Sequence, residues 1–319
     1  MVPPASGRLH HEALFFDEDH TLMAAAMAFV RAGVQRGEAV VVSANGNPAA
    51  SLLRARFGED PAVQFASEPL YLRPVDVVGH YKRIVEQCLS RGVPRIRLMG
   101  HLDLDNSDLP WQEWLRYEAA FTRLFAEYPV VTLCPWDTRV LSPEQADALY
   151  AAHPRLLGRH TASLNAAYVE PEDLVARPEL TVPTDSLQQR QPDVELWDVD
   201  AVSTVRDEVY PAVFPTGLSA QKADGFVKAL GEVAANAWIH GTPRVVVRVW
   251  AGSRKVVATV TDHGRGLSDP FLGYLPARGG HDGADSTAGL GLWAARLLCD
   301  LVDYKQSSEG FTVRLVVSA

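Results

Sequence analysis

A helix-like stretch in the last third of the chain carries an acid and an amide four residues apart. Glu232 and Asn236, in GEVAANAWIHG, would project from one face of a helix at this spacing. The oxygen of Asn236 is a ligand of the kind that Mg²⁺ prefers, and Glu232 could accept the proton of an attacking hydroxyl group. Alone, such a pair is more typical of a solvated helix face, and we interpret His240 as a cation at the helix end.

A second motif, DHGRG, follows a β-like run. Asp262 would end this strand with a fixed carboxylate, and Gly264 and Gly266 would let the backbone approach a ligand closely. By itself the motif is typical of a simple turn, and Arg265 either is solvated or reaches a phosphate or an acidic residue of a partner. Thr312, in GFTVRL, begins the last predicted strand and would support Asp262 through its hydroxyl group.

A third motif, AGLGLW, opens a predicted helix. The amides and the dipole at a helix N-terminus can hold phosphate. The preceding glycine-rich segment, 267–288, is interpreted as a mobile lid over such a ligand. The candidate ligand-binding residues in and beside this motif are Ser286, Thr287, Gly289, Leu290 and Gly291.

In this order, ExxxNAxxHG, DxGxG, GLGL and GxTV resemble the N, G1, G2 and terminal boxes of the GHKL ATPases. The compact size and the NAxxHG form most resemble the RsbW-like anti-sigma factor serine kinases. This resemblance implies a Bergerat-fold α+β sandwich of two layers that binds ATP and Mg²⁺. It assigns Glu232 as the catalytic base, Asn236 as the Mg²⁺ ligand and Asp262 as the acceptor for the adenine amino group.

The resemblance also implies partners, namely a sigma factor, a STAS-type anti-anti-sigma protein that is phosphorylated on serine, and a second copy of the chain. One alternative is a nucleotide-binding regulatory module that sequesters a partner without phosphotransfer. A sensor histidine kinase is disfavoured, because a phosphoacceptor helix hairpin needs more room than the linker offers. In addition, His160, in GRHTASLN, lacks an adjacent acidic residue.

The motifs need a particular set of elements around them, within residues 194–319. An extended VELWDV precedes a helical AVSTVRDEVYPAVF, and a long helix from about 220 to 239 follows, with Ser219 as its N-cap. A hairpin RVVVRVW-AGSR-KVVATVTD, a helix LWAARLLCDLV and a closing strand FTVRLVV complete the pattern. The order predicts an α+β domain with helices on one face of a mixed sheet.

The first 158 residues alternate β-like apolar runs with amphipathic helical stretches, which predicts a parallel α/β sheet covered by helices. Segments such as RIRLMGHLD and VVTLCPWD resemble the MEDS sensory domain, a family similar to a degenerate RecA-like ATPase core. DEDHTL stands where such a core would have GxxxxGK[ST], so we expect no ATP hydrolysis in this half. Residues 159–193, polar and proline-containing, are expected to be a linker that could include one short helix.

Two groups of residues in the first domain could bind a ligand. His10, His11 and His20 lie near Asp17, Glu18 and Asp19, but acids at a helix start are explained by the helix dipole, and we favour that interpretation over a metal site. The aromatic side chains could line a pocket for a small-molecule signal, although core packing is the preferred interpretation. They are Trp111, Trp114, Tyr117 and Trp136.

Composition limits the remaining functions. The 319 residues carry a net charge of −9, and without a Lys/Arg-rich run direct nucleic-acid binding is not expected. The cysteines, Cys88, Cys134 and Cys299, are odd in number and widely spaced, which predicts neither a disulfide framework nor a CxxC metal site. No signal peptide or long apolar run is present, so a cytoplasmic protein without membrane contact is expected.

Overall fold

The computed structural model divides the chain into two compact units, Met1–Leu180 and Thr181–Ala319. The structure describes residues 8–43, 48–66, 73–102, 104, 107, 109–158, 161–177, 181–198, 202–275 and 290–319. Ser286, Thr287, Gly289 and most of the expected lid lie outside these ranges, as does His160.

The first unit contains a mostly parallel sheet in the order β3-β2-β4-β5-β1-β6-β7. All of its described pairings are parallel except that of β6 with β7. The strands are β1 (His10–Phe16), β2 (Ala39–Ser43), β3 (Val63–Phe65), β4 (Ile96–Gly100), β5 (Val130–Asp137), β6 (Arg155–Leu157) and β7 (Ala162–Leu164).

Helices connect these strands as the alternating sequence pattern predicts. α5 begins at a capping box in which the Ser142 hydroxyl accepts from the Gln145 amide. Trp114, Tyr117 and Trp136 are buried, so these predicted aromatics belong to the core. The helices are α1 (Asp19–Gln35), α2 (Pro48–Phe57), α3 (Pro74–Ser90), α4 (Trp111–Phe125), α5 (Pro143–Ala152) and α6 (Pro171–Val175).

The second unit contains a five-stranded sheet in the order β11-β12-β10-β9-β8. Its described pairings are all antiparallel, so the expectation of a mixed sheet was wrong. The elements are β8 (Val194–Trp197), α7 (Val202–Val213), α8 (Ala220–His240), β9 (Val246–Ala251), β10 (Lys255–Asp262), α9 (Leu290–Leu298), β11 (Leu301–Ser307) and β12 (Gly310–Ser318).

The last helix is shorter than the sequence predicts. LWAARLLCDLV was expected to be helical throughout, but α9 ends at Leu298 and Leu301 begins β11. β11 pairs with β12 over its whole length. An apolar run this short fits a helix or a strand equally well by periodicity, and the pairing with β12 decides in favour of a strand.

Helices cover one face of this sheet. α8 begins at Ser219, whose hydroxyl accepts from the Lys222 amide at 3.2 Å, as the predicted N-cap requires. Phe226, Leu230 and Val233 of α8 are buried in the core formed by the helices and the inner face of the strands. α8 is thereby fixed along the sheet, and its C-terminal turns reach the end of β10.

A segment expected to be linker covers the opposite face. Val182 and Leu187 pack in an apolar cluster with Trp250 and Val257, and residues 186–189 form a short 3-10 helix capped by Asp185. We name residues 181–190 the strap. The interval 159–193 is therefore largely ordered, because it also contains β7 and α6. No helix in the described ranges has the length and hydropathy that a membrane crossing requires.

Candidate functional site

A cavity of about 330 Å³ opens on the helix-covered face of the five-stranded sheet. This volume lies within the range of about 300–1,000 Å³ that is typical of small-molecule pockets. The C-terminal turns of α8, the end of β10 with its following loop, the start of α9 and β12 line it. Its polar lining residues are Asn236, His240, Asp262, Arg265 and Ser268. Two of the predicted motifs therefore meet here.

Asp262 stands in the wall of this cavity with its carboxylate held by backbone amides. Its Oδ1 accepts from the Gly264 amide at 2.5 Å and from the Thr242 amide at 3.3 Å. Neither bond uses Oδ2. Only 5% of Asp262 is exposed, so a ligand hydrogen bond to this carboxylate would form away from bulk water, where it is stronger.

The glycines next to Asp262 are required for space. A Cβ at Gly264 would lie 2.6 Å from Asp262 Oδ1, and a Cβ at Gly241 would lie equally close to the same oxygen. Gly266 has φ +79, and a Cβ there would meet the Phe311 ring at 2.8 Å. Backbone, carboxylate and ring thus fit together only because these positions lack side chains.

Asn236 lies at the other side of the cavity, against the first turn of α9. A Cβ at Gly291 would lie 2.5 Å from Asn236 Nδ2 and 3.3 Å from Oδ1. The motif that contains Glu232 and Asn236 therefore contacts the AGLGLW motif, as binding of one ligand by both would require. Leu290 begins α9 beside this contact.

The remaining cavity wall is apolar. Its members are buried side chains that the sequence offers only as core, because apolar strand residues look alike whether they face a ligand or another side chain. They include Val260, Leu292, Phe311 and Val313, and the half-buried Leu272 also lines the cavity. A buried carboxylate at the edge of an apolar slot suits a heteroaromatic base with an exocyclic amino group.

Two family profiles match the chain. The one described as "MEDS: MEthanogen/methylotroph, DcmR Sensory domain" matches residues 10–154, and the one described as "Histidine kinase-like ATPase domain" matches residues 197–317. The chain joins a MEDS sensory domain to a histidine kinase-like ATPase domain. A search of curated proteins found no match. The layout predicted from the motifs is confirmed, and the protein is a regulatory, kinase-like ATPase.

The ATPase domain places Thr312 away from the cavity. Thr312 pairs with Thr261 in the β10–β12 register, and their hydroxyl oxygens are 2.8 Å apart. Val260, Asp262, Phe311 and Val313 line the cavity, and alternate residues of a strand point to opposite faces. The structure thus corrects the expected support of Asp262 by Thr312, because that hydroxyl lies on the strap-covered face.

Glu232 is exposed and lines a separate depression between α7 and α8 instead of the cavity. Arg206, Lys228 and Tyr210 share this depression. The Tyr210 hydroxyl donates to Asp224, which raises the pKa of the tyrosine. Glu232 lies one helical turn before Asn236, so its predicted role as a base stays a prediction.

His240 and Arg265 contribute more than the sequence indicated. Both line the cavity. We interpreted His240 as a helix-end cation and left Arg265 open between solvation and a contact with phosphate or a partner. His240 is the last residue of α8, where a cation interacts favourably with the helix dipole. The guanidinium group of Arg265 in the lining of the ATPase cavity would attract a polyphosphate.

Proposed function

We propose that this protein is a sensor-regulated serine/threonine protein kinase of the anti-sigma factor type. It would control a sigma factor by sequestering it, or phosphorylate a serine of a STAS-type anti-anti-sigma protein, with the MEDS domain receiving a small-molecule signal. The observation that carries the proposal is the cavity in which Asn236, Asp262 and the glycine-lined backbone converge. The NAxxHG form of the first motif supports the serine kinase branch.

The residues around the cavity fit Mg·ATP. Gly264 and Gly291 leave room for the Asp262 carboxylate and the Asn236 amide, and the apolar wall beside Asp262 suits adenine. Asn236 would hold Mg²⁺ through its side-chain oxygen, and Arg265 would face phosphate charge. Bound Mg²⁺ would neutralise charge on the phosphates. Glu232, on the same face of α8, would accept the proton of the attacking serine hydroxyl.

We further propose that the ATPase domain forms a homodimer. Trp238 and Ile239 near the end of α8 are exposed large apolar residues, and such surface is often covered by a partner. Light scattering of the purified full chain tests this point. The proposed kinase uses ATP and acts on a regulator of transcription, and we therefore propose that it works in the cytoplasm.

A second candidate is a nucleotide-dependent module that holds or releases its partner without phosphotransfer. The exposed position of Glu232, outside the cavity lining, favours this reading. Both candidates require ATP binding, so they differ only in what happens to the γ-phosphate.

One experiment separates the candidates. The full chain is incubated with Mg²⁺, γ-labelled ATP and candidate STAS-type proteins, with calorimetric titration of ATP in parallel. Label on a partner serine is expected for the kinase. Tight ATP binding with no transfer to any partner, combined with ATP-dependent capture of a sigma factor, would support the binding module. Absence of ATP binding would overturn both proposals.

A further inference from the structure

Four potential metal ligands converge inside the MEDS domain, far from the ATPase cavity in sequence. They are Nε2 of His11 in β1, the carboxylate of Glu118 in α4, Sγ of Cys134 in β5 and Nε2 of His153 at the end of α5. All four ligand atoms lie within 4.8 Å of one another. His11, Glu118 and His153 are 1%, 3% and 0% exposed.

The hydrogen bonds of His153 fix its tautomer. Its Nδ1 lies 2.7 Å from the backbone oxygen of Leu149. A carbonyl oxygen only accepts, so Nδ1 carries the proton, and Nε2 of the neutral ring presents a lone pair. This lone pair faces the Oε2 of Glu118 at 3.5 Å.

The tautomer of His11 follows from a chain of two hydrogen bonds. The Thr122 hydroxyl donates to the backbone oxygen of Glu118 at 3.1 Å. Its oxygen therefore accepts from Nδ1 of His11, at 2.7 Å. Nε2 of the neutral His11 ring is left as a second lone pair, 3.0 Å from Glu118 Oε2.

Acceptors thus face acceptors in a buried space. The Cys134 thiol can donate to His11 Nε2 at 3.4 Å, but Glu118 Oε2 and His153 Nε2 have no hydrogen-bond partner among the described residues. Two lone pairs and a carboxylate oxygen repel one another unless a proton or a metal ion lies between them. One cation would satisfy all four groups at once.

We propose that His11, Glu118, Cys134 and His153 form a Zn²⁺ site. Tetrahedral zinc with the usual bond lengths spaces nitrogen and oxygen ligands by about 3.3 Å and nitrogen and sulfur by about 3.6 Å. The corresponding separations here are 3.0 and 3.5 Å for nitrogen to oxygen and 3.4 Å for nitrogen to sulfur. These three separations are close to the tetrahedral values, and none of the separations among the four atoms exceeds 4.8 Å.

The ligand set also selects the type of metal. Thiolate and imidazole favour zinc and related transition metals over Mg²⁺ or Ca²⁺. Each imidazole is oriented from behind, one by a backbone carbonyl and one by a hydroxyl, which is the usual support of metal-binding histidines. On binding, the Cys134 thiol releases its proton to solvent and its sulfur coordinates the ion.

A small cavity adjoins the proposed zinc site. Its volume is about 20 Å³, space for about one water molecule. Three of the ligands, His11, Glu118 and Cys134, line it together with Trp136. The buried indole Nε1 of Trp136 has no acceptor in the described part of the chain, so a water or small ligand on the metal would find a hydrogen-bond donor there.

Metal titration of the reduced, chelator-treated full chain tests the proposal. Zn²⁺ is titrated against a chromophoric chelator, and Co²⁺ serves as a spectroscopic substitute. We expect one tightly bound Zn²⁺ per chain, and for Co²⁺ the bands of a tetrahedral complex with a thiolate-to-cobalt charge-transfer band. Cys134→Ser and Glu118→Gln should each weaken Zn²⁺ binding by about 100-fold, the upper end of the loss seen for residues that support metal ligands.

Cys88→Ser is the matched control, because Cys88 is a half-buried free cysteine outside the cluster. It should bind Zn²⁺ as the unmodified chain does. Equal affinity in Cys134→Ser and the unmodified chain would overturn the proposal. If the substituted chains fail to fold, metal titration of the unmodified chain still tests the proposal. A cobalt spectrum without a thiolate charge-transfer band excludes this site, and so does the absence of Zn²⁺ and Co²⁺ uptake.

Discussion

The side-chain amide of Asn236 packs directly against the backbone of Gly291, so that a Cβ at position 291 would lie 2.5 Å from Nδ2. This contact joins the C-terminal part of α8 to the first turn of α9 and closes one corner of the ATPase cavity. Glycine is needed at position 291 for space, because the amide must approach the helix backbone. The position of the proposed Mg²⁺ ligand therefore depends on a residue without a side chain.

Gly291→Ala should displace the Asn236 amide. Overpacking of this kind costs about 1–3 kcal/mol, and a loss of about 1.4 kcal/mol in binding corresponds to a tenfold weaker Kd. We expect Mg·ATP affinity, measured by calorimetry, to fall by about tenfold. Gly79→Ala is the control, because a Cβ there has no neighbour within 4 Å. Unchanged ATP affinity in Gly291→Ala would contradict the proposed role of this contact.

Asp262→Asn tests how the cavity recognises the base. An asparagine oxygen can still accept from the Gly264 and Thr242 amides, but an NH₂ donor replaces Oδ2 and would face the adenine amino group. Because a hydrogen bond to a charged group contributes about 1.5–3 kcal/mol, ATP affinity should fall by tenfold or more. ITP, whose base carries an acceptor oxygen in place of the amino group, should lose less.

Competition binding with ATP and ITP measures this change in preference. Asp207→Asn, at an exposed position of α7, should leave both affinities unaltered. If Asp262→Asn weakens ATP and ITP binding equally, the carboxylate stabilises the fold and does not recognise the base.

Glu232 and Asn236 should separate into two roles. Glu232→Ala is expected to abolish phosphotransfer to a partner serine while ATP affinity survives, because Glu232 lies outside the cavity lining. Asn236→Ala should weaken Mg·ATP binding itself. Transfer assays and calorimetry on both variants check this, with the exposed Glu309→Ala as control. If Glu232→Ala binds ATP as weakly as Asn236→Ala does, the division of roles fails.

Local signals made much of the ATPase domain predictable. The Ser219 cap, the helical spacing of Glu232 and Asn236, and the glycines around Asp262 all act within a few residues of the chain, so the sequence alone indicates them. The face on which Thr312 lies was not predictable in this way. A shift of one residue in strand register moves every side chain to the opposite face, and that register is set by pairing with Thr261.

Long-range packing explains what the sequence could not show. Val182 and Leu187 look isolated in a polar segment, and only the exposed face of the sheet gives them a place to pack. The His11, Glu118, Cys134 and His153 cluster depends on β1 lying between β5 and β6. Of the three N-terminal histidines His10, His11 and His20, only His11 belongs to this cluster. His20 pairs with Glu18 at the solvent-exposed surface.

A buried ion pair on the strap-covered face of the ATPase sheet is hydrogen-bonded to the strap. Arg314 in β12 donates to both carboxylate oxygens of Asp303, at 2.8 and 2.7 Å, and also to the backbone oxygens of Val182 and Pro183. Arg314→Met would leave Asp303 buried without its cation, and loss of one partner of a buried pair costs about 3–5 kcal/mol. Urea denaturation of the full chain measures this loss.

The double variant Arg314→Met, Asp303→Leu should lose less stability than Arg314→Met alone, because it leaves no unpaired buried charge. Arg248→Met is the matched control, since its partner Glu195 is partly solvent-exposed and such a pair contributes about 0–1 kcal/mol. Limited proteolysis should cut residues 181–190 faster in Arg314→Met than in Arg248→Met, because the three hydrogen bonds from Arg314 to Val182, Pro183 and Gln188 of the strap are lost. Equal cleavage rates would show that Val182 and Leu187 hold the strap without help from Arg314.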